Sequence, residues 1–204
     1  LSQVEMLKHQ VEAIAHAQEA IAVARRVDDL FAEVNARINL MTEQAARGSA
    51  PDPDELIEIV DRAVDAGVYD EAYRGIVNLI WAAPGYLPLD RVERTAVEAE
   101  RRTGATAPAS IGPYVELSKA ALLFLPAGRW REVDGALGEN VEGLATAVST
   151  RLVWLGLLGG MALRRGDLKA AEPRIAELQP MALESGEAQR IIPMASVVLP
   201  WLLV

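Results

Sequence analysis

Glycine spacing is the feature that most restricts what this chain can fold into. Gly48, Gly85, Gly128 and Gly166 lie 37, 43 and 38 residues apart, and Gly67, Gly104 and Gly138 interleave with them at 37 and 34. Between these glycines the chain is rich in Ala, Leu, Glu and Arg and has no long alternating β-branched run, so each interval reads as helix. Glycine closes helices because it enters the left-handed conformation without strain. Two interleaved sets of helix ends are what helix–turn–helix units joined head to tail produce. One such unit cannot bury both of its faces alone, so the units stack. The expected fold is all-α, an α-solenoid of stacked antiparallel helix hairpins.

The hairpins can be placed. Ser2 to Val27 contains no Gly or Pro. Its apolar residues Val4, Leu7, Val11, Ile14 and Ile21 follow three- and four-residue steps and share one face. That helix either packs on the next hairpin or, if it projects, serves as a short coiled-coil dimerisation element. Pairs follow at 28–47 with 53–66, 69–83 with 89–103, 108–127 with 130–138, and 143–165 with 168–184, and a last helix spans about 187–203. Asp52-Pro53-Asp54-Glu55 reads as an N-cap, a proline at the first helical position and a capping-box glutamate; Asp90 with Glu93 repeats the signature. Asn39-Leu40 and Asn78-Leu79 sit 39 residues apart, with Ala36 and Gly75 three positions earlier, where helices can approach closely. One domain over 1–204 is expected. The unpaired last helix, the apolar end Trp201-Leu202-Leu203-Val204 and the absence of a first methionine suggest a piece of a longer protein.

Composition excludes several classes. The 204 residues include no cysteine, so a disulfide framework and a cysteine zinc site are excluded. A net charge of −9 without a basic run argues against direct nucleic-acid binding. The apolar runs 152–163 and 191–204 are shorter than the roughly 20 residues a bilayer span needs, and no targeting signal opens the chain. No membrane contact and a cytoplasmic location are expected.

Chemistry-bearing residues are sparse. The only histidines, His9 and His16, alternate with Glu5, Glu12 and Glu19 on one helical stripe. Imidazole with carboxylate suits a divalent metal. The same stripe also reads as a solvated face opposite the apolar one, and that reading is preferred, with no metal expected. Asp28-Asp29, Asp52/Asp54/Glu55 and Asp70-Glu71 fall at helix starts, where capping accounts for them. Without a clustered nucleophile, base and oxyanion site, a non-catalytic protein with no cofactor is expected. The candidate binding residues are Asn39, Tyr73, Arg74, Asn78, Arg151 and Trp154, which fall on the first helices of hairpins. First helices commonly line the concave side of a solenoid, so these residues form a candidate groove for a peptide or small ligand. Core packing is the competing reading for Tyr73 and for Trp81. Trp130 is expected to wedge the turn at Gly128. Leu152–Leu163 is apolar all round and should be buried, with Gly156, Gly159 and Gly160 permitting close helix approach.

The turns carry a resemblance. Ala66-Gly67-Val68-Tyr69-Asp70-Glu71-Ala72 resembles the tetratricopeptide turn, and Gly128-Arg129-Trp130 and Arg164-Arg165-Gly166-Asp167-Leu168-Lys169-Ala170-Ala171 resemble degenerate versions of it. Gly186-Glu187-Ala188-Gln189-Arg190-Ile191-Ile192-Pro193 resembles a late element in the helical-repeat region of large bacterial regulators. Over roughly residues 15–204 the chain is similar to that region of ATPase-containing LuxR-type or cyclase-linked proteins. The resemblance implies a tetratricopeptide-like superhelix serving transcription regulation or signalling. Its role there would be a protein-interaction or signal-sensing scaffold that binds a protein or peptide, or the neighbouring domains of its parent, with a homodimer possible. The alternative is a small-molecule binding module with its ligand in the concave groove between first helices.

Overall fold

The computed structural model describes residues 10–104, 111–138 and 147–185. Every regular element among them is helical: α1 (Ala13–Val27), α2 (Leu30–Ala46), α3 (Pro53–Asp65), α4 (Tyr69–Ala82), α5 (Leu89–Thr103), α6 (Gly112–Lys119), α7 (Trp130–Ala136), α8 (Val148–Arg164) and α9 (Leu168–Ser185). Contacts gather into two compact units, Leu1–Val115 and Glu116–Val204. The expected helices over 1–9 and 187–203 lie outside the described residues.

In the first unit α2 is the central element, packed by α1, α3 and α4. Like helices also meet, α2 against α4 and α3 against α5. The core is made by Ile38, Leu56, Ile59, Ile76, Leu79 and Ile80, all fully buried, with Val92, Ala96 and Ala99 from α5. Gly75 sits where α4 crosses this core. A β-carbon there would lie 3.3 Å from Leu56 Cδ1 and 3.5 Å from Ile38 Cδ1, so the small residue sets how closely α4 approaches α2 and α3.

Caps explain the helix boundaries. Asp28 ends α1 in the left-handed conformation, and the Asp29 side chain accepts the Ala32 N–H at 3.0 Å to begin α2. Asp52 caps α3 by accepting the Asp54 N–H at 2.9 Å, with Pro53 at the first helical position. Glu55, expected to close a capping box, pairs with Arg37 of α2 instead. At α5 the expected cap is also displaced. Pro88 holds the N-cap position, and Asp90 lies inside the first turn, 2.6 Å from Arg94. Its charge there still favours the positive helix end. Gly48, Gly67, Gly104, Gly128 and Gly166 all have positive φ, whereas Gly85 closes a short 3-10 turn and Gly138 has no positive φ.

The first helix departs from its expected face. Val11, in a turn before α1, is 76% exposed, and Ile14 and Ile21 are half-buried. Ala13, Ala17 and Ala24 form the buried line instead. Small side chains let α1 lie close on α2, and this is the most extensive helix pair in the first unit. Gln10, Val11 and Glu12 are not helical and α1 starts at Ala13, which no local breaker explains.

In the second unit α6 continues into a π turn, Ala120–Phe124. The following turn is closed by Arg129, whose guanidinium lies 4.3 Å above the Phe124 ring. Trp130, the expected wedge, begins α7 and is 45% exposed, so it does not fill the turn. Helix α8 is buried on nearly every side, as its all-apolar sequence requires. At Gly159 a β-carbon would lie 3.3 Å from Ile175 Cγ1, the close approach to α9 expected there. Helix α9 runs through Pro173 and Pro180, with Ala171, Leu178 and Ala182 buried. No described helix is long and apolar enough to cross a membrane.

Substitution at the crossing should be felt. Gly75→Val is expected to lower stability by about 1–3 kcal/mol through overpacking. Gly67→Ala, at φ +72 in open space, should cost about 1–2 kcal/mol from backbone strain alone. Urea unfolding of both variants checks this, and a neutral Gly75→Val would show that α4 is not closely held.

Candidate functional site

Helix α2 carries Glu33, Arg37, Asn39, Thr42 and Glu43, all buried. Buried polar groups without partners cost about 1–3 kcal/mol each, so neighbouring helices must supply partners. They do so along the length of α2. Helices α1 and α3 supply Arg25 and Arg62 to Glu33; α3 supplies Glu58 and Glu55 to Arg37. Helix α4 supplies Arg74 to Asn39 and Asn78 to Thr42. Glu43 pairs with Arg47 one turn on, at 2.7 Å.

Three of the sequence-predicted groove residues belong to this set. Arg74 donates to Asn39 Oδ1 at 2.7 Å and to the Asn35 carbonyl at 3.2 Å, and its Nε donates to Glu71 at 2.7 Å. Burial pushes the Arg74 guanidinium below its ordinary pKa, against the opposing pull of Glu71. Asn78 donates to Thr42 Oγ1 at 2.9 Å, and Thr42 donates to the Ile38 carbonyl at 2.8 Å. Tyr86 extends the ladder, donating to the Ala45 carbonyl at 2.6 Å. Tyr73 is turned elsewhere: it is buried, and its hydroxyl accepts from Thr103 of α5 at 2.8 Å. Asn39, Tyr73 and Asn78 are therefore placed in helix interfaces.

Arg151 and Trp154 lie on α8, in the second unit. Arg151 Nε donates to Glu177 of α9 at 2.7 Å. Trp154 is buried, with the Arg174 guanidinium 5.7 Å from its ring centre. Of the histidine–glutamate stripe, Glu5 and His9 lie outside the described residues. Glu12 and Glu19 are exposed, and His16 is half-buried at the edge of the α1–α2 contact rather than opposite it. No group of three metal-ligating side chains occurs among the described residues.

An open cleft of about 340 Å³ lies at the α1–α2 turn, lined by Ala24, Arg25, Asp28, Asp29, Leu30, Glu33 and Arg62. Glu33 is its organising group. Its two oxygens accept from Arg62 at 2.7 and 2.8 Å, and Oε1 also accepts from Arg25 at 3.0 Å. The Arg62 hydrogen bonds hold the Glu33 carboxyl below the usual carboxylate range against the cost of burial, and Arg25 adds to the effect. Sequence reading did not single out Glu33, Arg25 or Arg62. The available signal is Glu33 beside Val34 and four residues before Arg37, placing charge on a helix whose other faces are apolar.

Comparison with protein-family models, curated proteins and solved structures finds no match for the chain.

Because the carboxyl pKa of Glu33 is lowered on folding, its contribution is present above the unfolded value, about 4.3, and is lost as pH falls through the folded value. Glu33→Gln should cost about 1–3 kcal/mol at pH 7. The gap from wild type should narrow on acidification below about pH 4. Denaturant titrations at pH 7 and pH 3 check this; a gap independent of pH would remove the ion pair as its cause.

Proposed function

We propose that this chain is a non-catalytic, helical-repeat scaffold that binds a protein or peptide, or neighbouring domains of a longer regulator. The observation that carries the reading is the ladder between α2 and α4, in which equivalent helices of successive hairpins are joined by Arg74–Asn39 and Asn78–Thr42. Repeat arrays hold their hairpins through such nearest-neighbour interfaces and present the remaining faces to partners. The tetratricopeptide-like turns at Gly67, Gly128 and Gly166 support the solenoid arrangement and the regulator assignment. The polar residues of the first helices act in this reading as struts, and recognition belongs to the exposed faces. The small-molecule alternative is weaker, since Asn39, Tyr73 and Asn78 are each at most 8% exposed.

Native mass spectrometry of the purified chain, with a thermal-shift screen of metabolites and nucleotides, separates the two readings. The scaffold reading expects the bare chain mass and no stabilisation. Selection from a displayed peptide library should then enrich one family of related sequences. A retained small molecule, or stabilisation of about 2.7 kcal/mol at 100 times a ligand's Kd, would overturn it, as would selection without enrichment.

A further inference from the structure

The face of α1 turned away from α2 presents Ala15, Gln18, Glu19, Ala22 and Arg26, all exposed, and the exposed Glu12 stands at the N-cap. Its charges are separated along the helix. Glu12 at the N-cap and Glu19 lie toward the start, Arg25 and Arg26 in the last turn. The side chains of Glu12, Glu19 and Arg26 make no ion pair among the described residues. Glu12 and Arg26 lie seven residues before and after Glu19, about 10.5 Å to either side at 1.5 Å per residue. This distribution is self-complementary about a twofold axis. We propose that the outer face of α1 pairs antiparallel with the same face of a second copy, the axis passing near Glu19. Each Glu12 then meets the partner's Arg26, an isologous arrangement in which both pairs form twice by symmetry. Ala15 and Ala22 fall on the contact line, four before and three after the axis, and their size allows the helices to approach. A parallel pairing would set Glu12 against Glu12 and Arg26 against Arg26, so the charge pattern selects the antiparallel form. The one opposed contact is Glu19 against its own copy at the axis.

A single helix pair about 22 Å long buries less than a standard interface of about 1,600 Å², so the dimer should be weak and reversible. The inference stands apart from the scaffold reading, because a monomeric chain can still bind a peptide. Sedimentation velocity on the full chain from about 5 to 300 µM tests it. A concentration-dependent dimer that weakens with salt is expected. Glu12→Arg and Arg26→Glu should each weaken it about tenfold, the two together should restore it, and Glu19→Gln should tighten it. Circular dichroism of each variant confirms that these exposed substitutions leave the fold intact. Because the chain has no cysteine, Glu19→Cys should form a disulfide with its own copy under mild oxidation, whereas Val11→Cys should not. A monomer at every concentration, a dimer indifferent to both charge reversals, a double reversal no better than either single one, or equal cross-linking at positions 11 and 19 would each overturn the proposal.

Discussion

The first unit depends on how α2 is buried. A helix packed by three neighbours keeps little surface for water, yet this one carries two glutamates, an arginine, an asparagine and a threonine into the interior. Ionised groups that lose solvent must recover it in charge-assisted hydrogen bonds, or the fold loses several kcal/mol for each. Apart from Arg47, which serves Glu43 from the end of α2 itself, the partners come from α1, α3 and α4, so these helices cannot settle around α2 independently. Apolar contacts alone would tolerate sliding of one helix along another. Glu33 taking both nitrogens of Arg62 while accepting from Arg25 fixes where α1 and α3 lie along α2.

The same constraint sets the register of α4 against α2. The sequence repeat carried by Asn39 and Asn78 is 39 residues, but the residues in contact are 35 and 36 apart, Asn39 with Arg74 and Thr42 with Asn78. The difference is three to four residues, one helical turn. Helix α4 is therefore set one turn along from the position that a direct match of repeats would give. Asn39 consequently accepts from an arginine while Asn78 donates to a threonine, and the two equivalent asparagines perform different tasks. Gly75, between these rungs, allows the approach that makes both bonds short enough to form.

Much of the fold was legible because helix ends are local chemistry. The left-handed glycines at 48, 67, 104, 128 and 166, the aspartate caps at 29 and 52, and the all-apolar run in α8 each follow from a few neighbouring residues. What was not legible depends on residues distant in sequence. The Val11/Ile14/Ile21 stripe has helical spacing, but alanine packs closer to α2 than isoleucine can, so Ala13, Ala17 and Ala24 take the inside. Glu55 suits a capping box until Arg37 arrives from the preceding helix with a charged partner. Arg74 and Asn78 share a polar stripe that reads equally well as groove or interface. The choice lies in Asn39 and Thr42, 35 and 36 residues earlier, which periodicity within one helix does not reveal.

This division bears on where such a chain can acquire a function. Residues in the ladder are coupled through shared partners, so altering Asn39 or Thr42 leaves a polar group on α4 without its mate, and the cost falls on stability before it reaches recognition. The outward faces of α1, α3 and α5 are linked more loosely, as by the partly exposed pair of Asp61 on α3 with Arg102 on α5. Their charges meet water or surface ion pairs such as Glu98 with Arg101, which contribute little to folding. Those faces can change charge and shape while the interior register holds. Under the scaffold reading proposed above, specificity belongs on the exposed faces of α1, α3 and α5, even though the residues that looked most chemical in the sequence lie on α2, α4 and α8.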